Sequence, residues 1–74
     1  MIPGMQPAMK LEINGETRSV AASANVRELL HNLGIKPDRI AVEVNRLIIK
    51  RQDWDRTPIR ELDKIEIVQF VGGG

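Results

Sequence analysis

Ile65-Glu66-Ile67-Val68-Gln69-Phe70-Val71 runs straight into Gly72-Gly73-Gly74, and the reading of these ten residues decides the architecture. Apolar and β-branched residues at a period of two make 65–71 the strongest strand of the chain. Glycine loses more backbone freedom on ordering than any other residue, so three in succession are a poor choice for structure. They suit a thread that enters a narrow active site on another protein. Residues 72–74 are therefore read as a flexible Gly-Gly-Gly tail, and the strand before it as its anchor.

Composition narrows the chemistry. Seventy-four residues, 42% hydrophobic and 28% charged, allow one small domain with one core. The chain has no cysteine. It can form no disulfide or thiolate metal site and cannot carry sulfur on a side-chain thiol, so any sulfur chemistry must use the terminal carboxyl. Eleven Lys and Arg against ten Asp and Glu give a net charge of +1, with the two signs interleaved. That argues against nucleic-acid binding, which needs a basic surface to neutralise phosphates. No apolar run approaches the roughly 20 residues of a membrane span. Met1–Ala8 lacks the charged start and apolar run of a signal peptide, so a cytoplasmic location is expected.

Working back from the last strand, residues 1–8 hold two prolines and a glycine without alternation and are read as a disordered extension. The folded domain is expected over 9–71. Met9, Leu11 and Ile13 alternate with polar residues as a first strand, and Asn14-Gly15 is the pair favoured by a type I′ hairpin turn. Glu16–Val20 returns antiparallel, placing Glu16 and Arg18 on the side of Ile13 and Leu11, with the Arg18 stem along the core edge and its head in water. Asn25 and Glu28 form a capping box. Val26, Leu29, Leu30 and Leu33 make one apolar helical stripe, closed by Gly34. The lone histidine, His31, falls on the solvated face without metal-binding companions and is read as a bystander. Ile40, Val42 and Val44 form a third strand and Leu47–Ile49 a short fourth, joined by an Asn45-Arg46 turn in which Arg46 is strained if the turn is type I′. Arg51–Trp54 is a helical turn that folds Trp54 over the core, and Thr57–Lys64 is a polar connector.

This order of elements matches an α+β layout, the β-grasp (ubiquitin-like) fold: a mixed sheet of four to five strands around one helix. First and last strands then lie parallel in the centre of the sheet. With Ile65 and Ile67 turned toward the helix, Val68 and Phe70 point outward, and with Val71 they are the candidate partner-binding residues. Glu43 adds a polar rim to that patch.

Asn14-Gly15, the Val26–Gly34 helix, Ala41-Val42-Glu43-Val44-Asn45, Arg51 with Trp54, and Ile65-Glu66-Ile67-Val68 ending in Phe70-Val71-Gly72-Gly73-Gly74 resemble the ThiS family of sulfur carriers in thiamin biosynthesis. The likeness covers nearly everything from Met9 onward. It departs at Asn45-Arg46 and Leu62-Asp63, where the family usually has Asn-Gly and Gly-Asp. The resemblance implies that the Gly74 carboxyl is adenylated and converted to a thiocarboxylate, with Gly72 and Gly73 threading into partners. Those partners are an E1-like adenylating enzyme that uses ATP and Mg²⁺, a persulfide sulfur donor, and thiazole synthase. No catalytic residue, metal site or bound cofactor is implied for this chain itself. Alternatives of the same architecture are the molybdopterin synthase small subunit and a ubiquitin-like protein modifier, and the plainest is an interaction module with an incidental glycine end.

Overall fold

The computed structural model describes residues 7–70. Most of the expected extension, together with Val71 and the tail Gly72–Gly74, lies outside them. Strands β1 (Ala8–Ile13) and β2 (Glu16–Ala21) are followed by helix α1 (Val26–Asn32), strands β3 (Ile40–Val44) and β4 (Leu47–Ile49), a 3₁₀ turn (Arg51–Arg56) and strand β5 (Lys64–Gln69). The five strands form one sheet in the order β2-β1-β5-β3-β4. β1 and β5 are parallel, with Glu12 opposite Lys64 and Ile13 opposite Ile65. All other neighbours are antiparallel.

β1 begins at Ala8, one residue earlier than its alternation implied, because Ala8 pairs with Ala21 and the Ala22 N–H donates to the Pro7 carbonyl at 3.1 Å. β2 stands as expected, with Arg18 opposite Leu11 and Glu16 opposite Ile13. Arg18 lines a groove with Ile13, Ile40 and Ile67 at the edge of the core. In both hairpin turns the two central residues have positive φ, at Asn14 (+50°) and Gly15 (+84°), and at Asn45 (+50°) and Arg46 (+72°). Both are therefore type I′, and Arg46 carries the strain its Cβ implies. Leu62 (+69°) and Arg39 (+55°) occupy the same left-handed region.

Asn25 caps α1, its Oδ1 accepting the Glu28 N–H at 2.8 Å, while Glu28 reaches back one residue further than a standard box, to the Ala24 N–H at 3.0 Å. Gly34, at φ +73°, ends the helix. The core is Leu11, Ile13, Val20, Val26, Leu29, Leu30, Val42, Val44, Trp54, Ile59 and Ile65, with Met9, Leu33, Ile35, Ile40, Ile49 and Ile67 packed around it. Trp54 is 1% exposed, and its indole N–H donates to the Ile49 carbonyl at 3.1 Å. The guanidinium groups of Arg27 and Arg51 lie 5.7 and 5.5 Å from its ring centroid. Ile59 corrects the reading of 57–64 as a purely polar connector. It is buried, and its N–H donates to Ala24 O, so this segment closes the domain beside the start of α1. Among the described residues no helix is long and apolar enough to cross a membrane.

Candidate functional site: the last strand and the outer sheet face

β5 occupies the middle of the sheet, but its two neighbours support it unequally. On one side β3 follows it in register from Ile65 to Gln69. On the other, β1 stops at Ile13, beside Ile65. Past that point the Asn14 side chain takes over the ladder. Its Oδ1 accepts the Ile67 N–H at 2.8 Å and its Nδ2 donates to the Ile67 carbonyl at 3.2 Å. The other turn acts in the same way at the strand's entry, where Asn45 Oδ1 accepts the Lys64 N–H at 2.9 Å and its Nδ2 donates to Asp63 at 3.0 Å. Beyond Gln69, the Phe70 N–H still donates to Arg39 O. The strand that leads to the glycines is thus held on both edges as far as Ile67, and on one edge as far as Phe70.

The alternation of β5 sends Ile65 and Ile67 toward α1, where Ile65 is fully buried and Ile67 half-buried. Val68 and Phe70 face outward, 53% and 55% exposed. The structure brings them together with Ala41, opposite Val68, and with Glu43, opposite Glu66. Ile48 of β4 lies opposite Glu43 and belongs to the same face. Sequence reasoning missed Ile48, because the unbroken apolar run Leu47-Ile48-Ile49 has no alternation to assign faces; only its register with β3 does so. His31 lies apart, beside Arg27, Ile35 and Trp54 on the helix side. No three His, Cys, Asp or Glu side chains cluster as metal ligands would among the described residues.

A mixed five-stranded sheet folded over one helix, with the last strand central and leading toward a run of glycines, defines a ubiquitin-like β-grasp protein. The chain belongs to the ThiS family, whose profile matches residues 11–74. Over 66 residues, 89% of this chain, it is 44% identical to a thiazole synthase of Paramagnetospirillum magneticum, and this chain spans only about a fifth (20%) of that protein's length. It is 29% identical over 66 residues to the sulfur carrier protein ThiS of Escherichia coli, covering 89% of this chain and 100% of that one. The crystal structure of a thiamine biosynthesis protein (ThiS) from Geobacter metallireducens superposes with a TM-score of 0.77 at 36% identity, covering 89% of this chain and all (100%) of the other.

Proposed function

We propose that this chain carries sulfur for thiazole formation as a thiocarboxylate on Gly74. The observation that supports this best is that the ThiS match runs from Leu11 through the rest of the described body and on to Gly74, in a chain with no cysteine to carry sulfur by another route. An unactivated carboxylate is a poor electrophile. On an E1-like partner holding ATP and Mg²⁺, one Gly74 oxygen attacks the α-phosphorus, pyrophosphate leaves, and a mixed anhydride with AMP forms. The outer sulfur of a persulfide then displaces AMP, and a thiol cleaves the resulting sulfur–sulfur bond, itself being oxidised to a disulfide. The terminus is left as a thiocarboxylate, a stronger nucleophile than the carboxylate it replaces.

In this reading the chain supplies no catalytic group, metal or cofactor, and it works in the cytoplasm. Its contributions are the reacting end, the slender Gly72-Gly73 approach and a docking face proposed to include Val68, Phe70 and Val71. Thiazole synthase is the acceptor, in keeping with the name carried by the Paramagnetospirillum magneticum relative. The relatives reported above give no support to a molybdopterin synthase subunit or a protein modifier.

Intact-mass analysis of protein taken from its own cell tests the reading, which expects a fraction in which sulfur has replaced one terminal oxygen. A lysine-linked conjugate in its place refutes it. Gly73→Val is expected to abolish AMP-dependent loading while leaving stability within about ±0.5 kcal/mol, because a β-branched residue stiffens and thickens the thread. Normal loading of that variant refutes the threading role.

A further inference from the structure

Glu43 and Glu66 stand directly opposite each other on β3 and β5, on the face turned away from α1. Like charges in this arrangement destabilise a sheet. Among the described residues neither carboxylate has a salt-bridge partner; the ion pairs there are Arg27–Asp55 and Arg56–Asp53. Lys64 precedes Glu66 by two places on the same face, and apolar surface lies beyond the pair. Ile48, 74% exposed, is opposite Glu43, while Val68 follows Glu66 by two places on the same face, with Phe70 two places further. Like charges placed opposite each other work against the pairing of β3 and β5 rather than for it.

We propose that this face docks onto thiazole synthase, and that an arginine of the synthase seats between Glu43 and Glu66 while apolar side chains around it cover Ile48, Val68 and Phe70. Charge complementarity sets the partner's chemistry. Two carboxylates on adjacent strands suit a planar fork of N–H donors, which a guanidinium presents and an ammonium does not. A free cation would leave Ile48 and Val68 in water, whereas a protein surface covers them and excludes water from the ion pair. The choice of synthase rests on the function proposed above. It draws on the relatives named thiazole synthase, in which a segment like this chain occupies 20% of the polypeptide.

The test is calorimetric titration of purified thiazole synthase with the wild-type chain and with a Glu43→Gln/Glu66→Gln variant, alongside thermal melts. Removing the repulsion is expected to raise the variant's Tm by about 1–5 °C, while Kd for the synthase rises at least about tenfold, the usual loss for an interface anchor. Wild-type affinity falls as salt is raised, and the variant's falls less. Glu66→Lys, which places a cation opposite Glu43, is expected to melt higher still and to bind more weakly. A double variant that binds as wild type overturns the proposal, and so does one that melts lower, since the carboxylates would then serve the fold. Sulfur loading of the wild-type chain is followed separately by mass. If loading occurs and the variant still binds normally, the docking inference fails alone; if no loading occurs, the sulfur-carrier reading fails.

Discussion

Replacing Asn14 by glycine isolates the clamp on β5 from the turn that contains it. Glycine adopts φ +50° without strain, so the hairpin between β1 and β2 keeps its type I′ geometry, and what disappears is the pair of hydrogen bonds to Ile67 at 2.8 and 3.2 Å. Each is worth about 0.5–1.5 kcal/mol net, and solvent access to this edge places the pair near the lower end, at about 1–2 kcal/mol together. For a domain of this size that corresponds to a Tm lower by roughly 5–15 °C. The local signature is sharper than the global one. In the variant the Ile67 amide is expected to exchange with solvent much faster, having lost its acceptor, while the Val68 amide, on the β3 side of the strand, changes only as far as global stability does. Residue-resolved hydrogen exchange by NMR measures both. An Ile67 amide that stays as protected as before, or a stability loss below about 0.5 kcal/mol, refutes the claim that a side chain completes the ladder where β1 ends.

Leu62→Gly is expected to stabilise the domain by about 0.5–1 kcal/mol in urea unfolding, because Leu62 is held at φ +69° with a side chain 69% exposed, and glycine relieves the left-handed strain without losing packing; a destabilised variant contradicts this. Ile59→Ala is expected to cost about 2–4 kcal/mol, a large share of what so small a domain has, and to appear as a collapse of the melting transition. Phe70→Ala is expected to leave the urea midpoint within about ±0.5 kcal/mol of wild type while weakening partner binding by more than about 1 kcal/mol; an unfolded variant would invert the face assignment of β5.

Period-two and helical stripes made most of the fold legible, because each element has one face in water. Alternation alone placed Leu11 and Ile13 inside and Val68 and Phe70 outside. It failed where no period exists. Ile59 is a single apolar residue in a polar stretch, and it is buried through a backbone contact to Ala24 rather than through any local pattern. Arg39 gives no sign of its left-handed backbone, since the usual signal is the glycine it lacks, and at Leu62 the one hint is the glycine that the ThiS family usually has there. Asn14 was readable as a turn residue, but its grip on Ile67 spans 53 positions and depends on where β1 stops relative to β5. The Glu43–Glu66 pair is likewise a matter of register, visible only once β3 and β5 are aligned.

The position of β5 has a consequence for how the protein is made. It is the last strand among the described residues, yet it lies between β1 and β3, so before it arrives the sheet is two separate hairpins with no shared backbone bond. Each hairpin alone is too small to be stable in water, and pairing β5 with β1 requires closure of a loop of roughly 50 residues, a slow, non-local step. During synthesis nothing resembling the finished domain can precede emergence of 64–69 from the ribosome. The strand that completes the fold also bears Glu66 and Val68 and leads to the glycines, so a misfolded or half-made chain has no assembled outer face to offer a partner. On the docking proposed above, recognition of this face by shape would also be an inspection of folding.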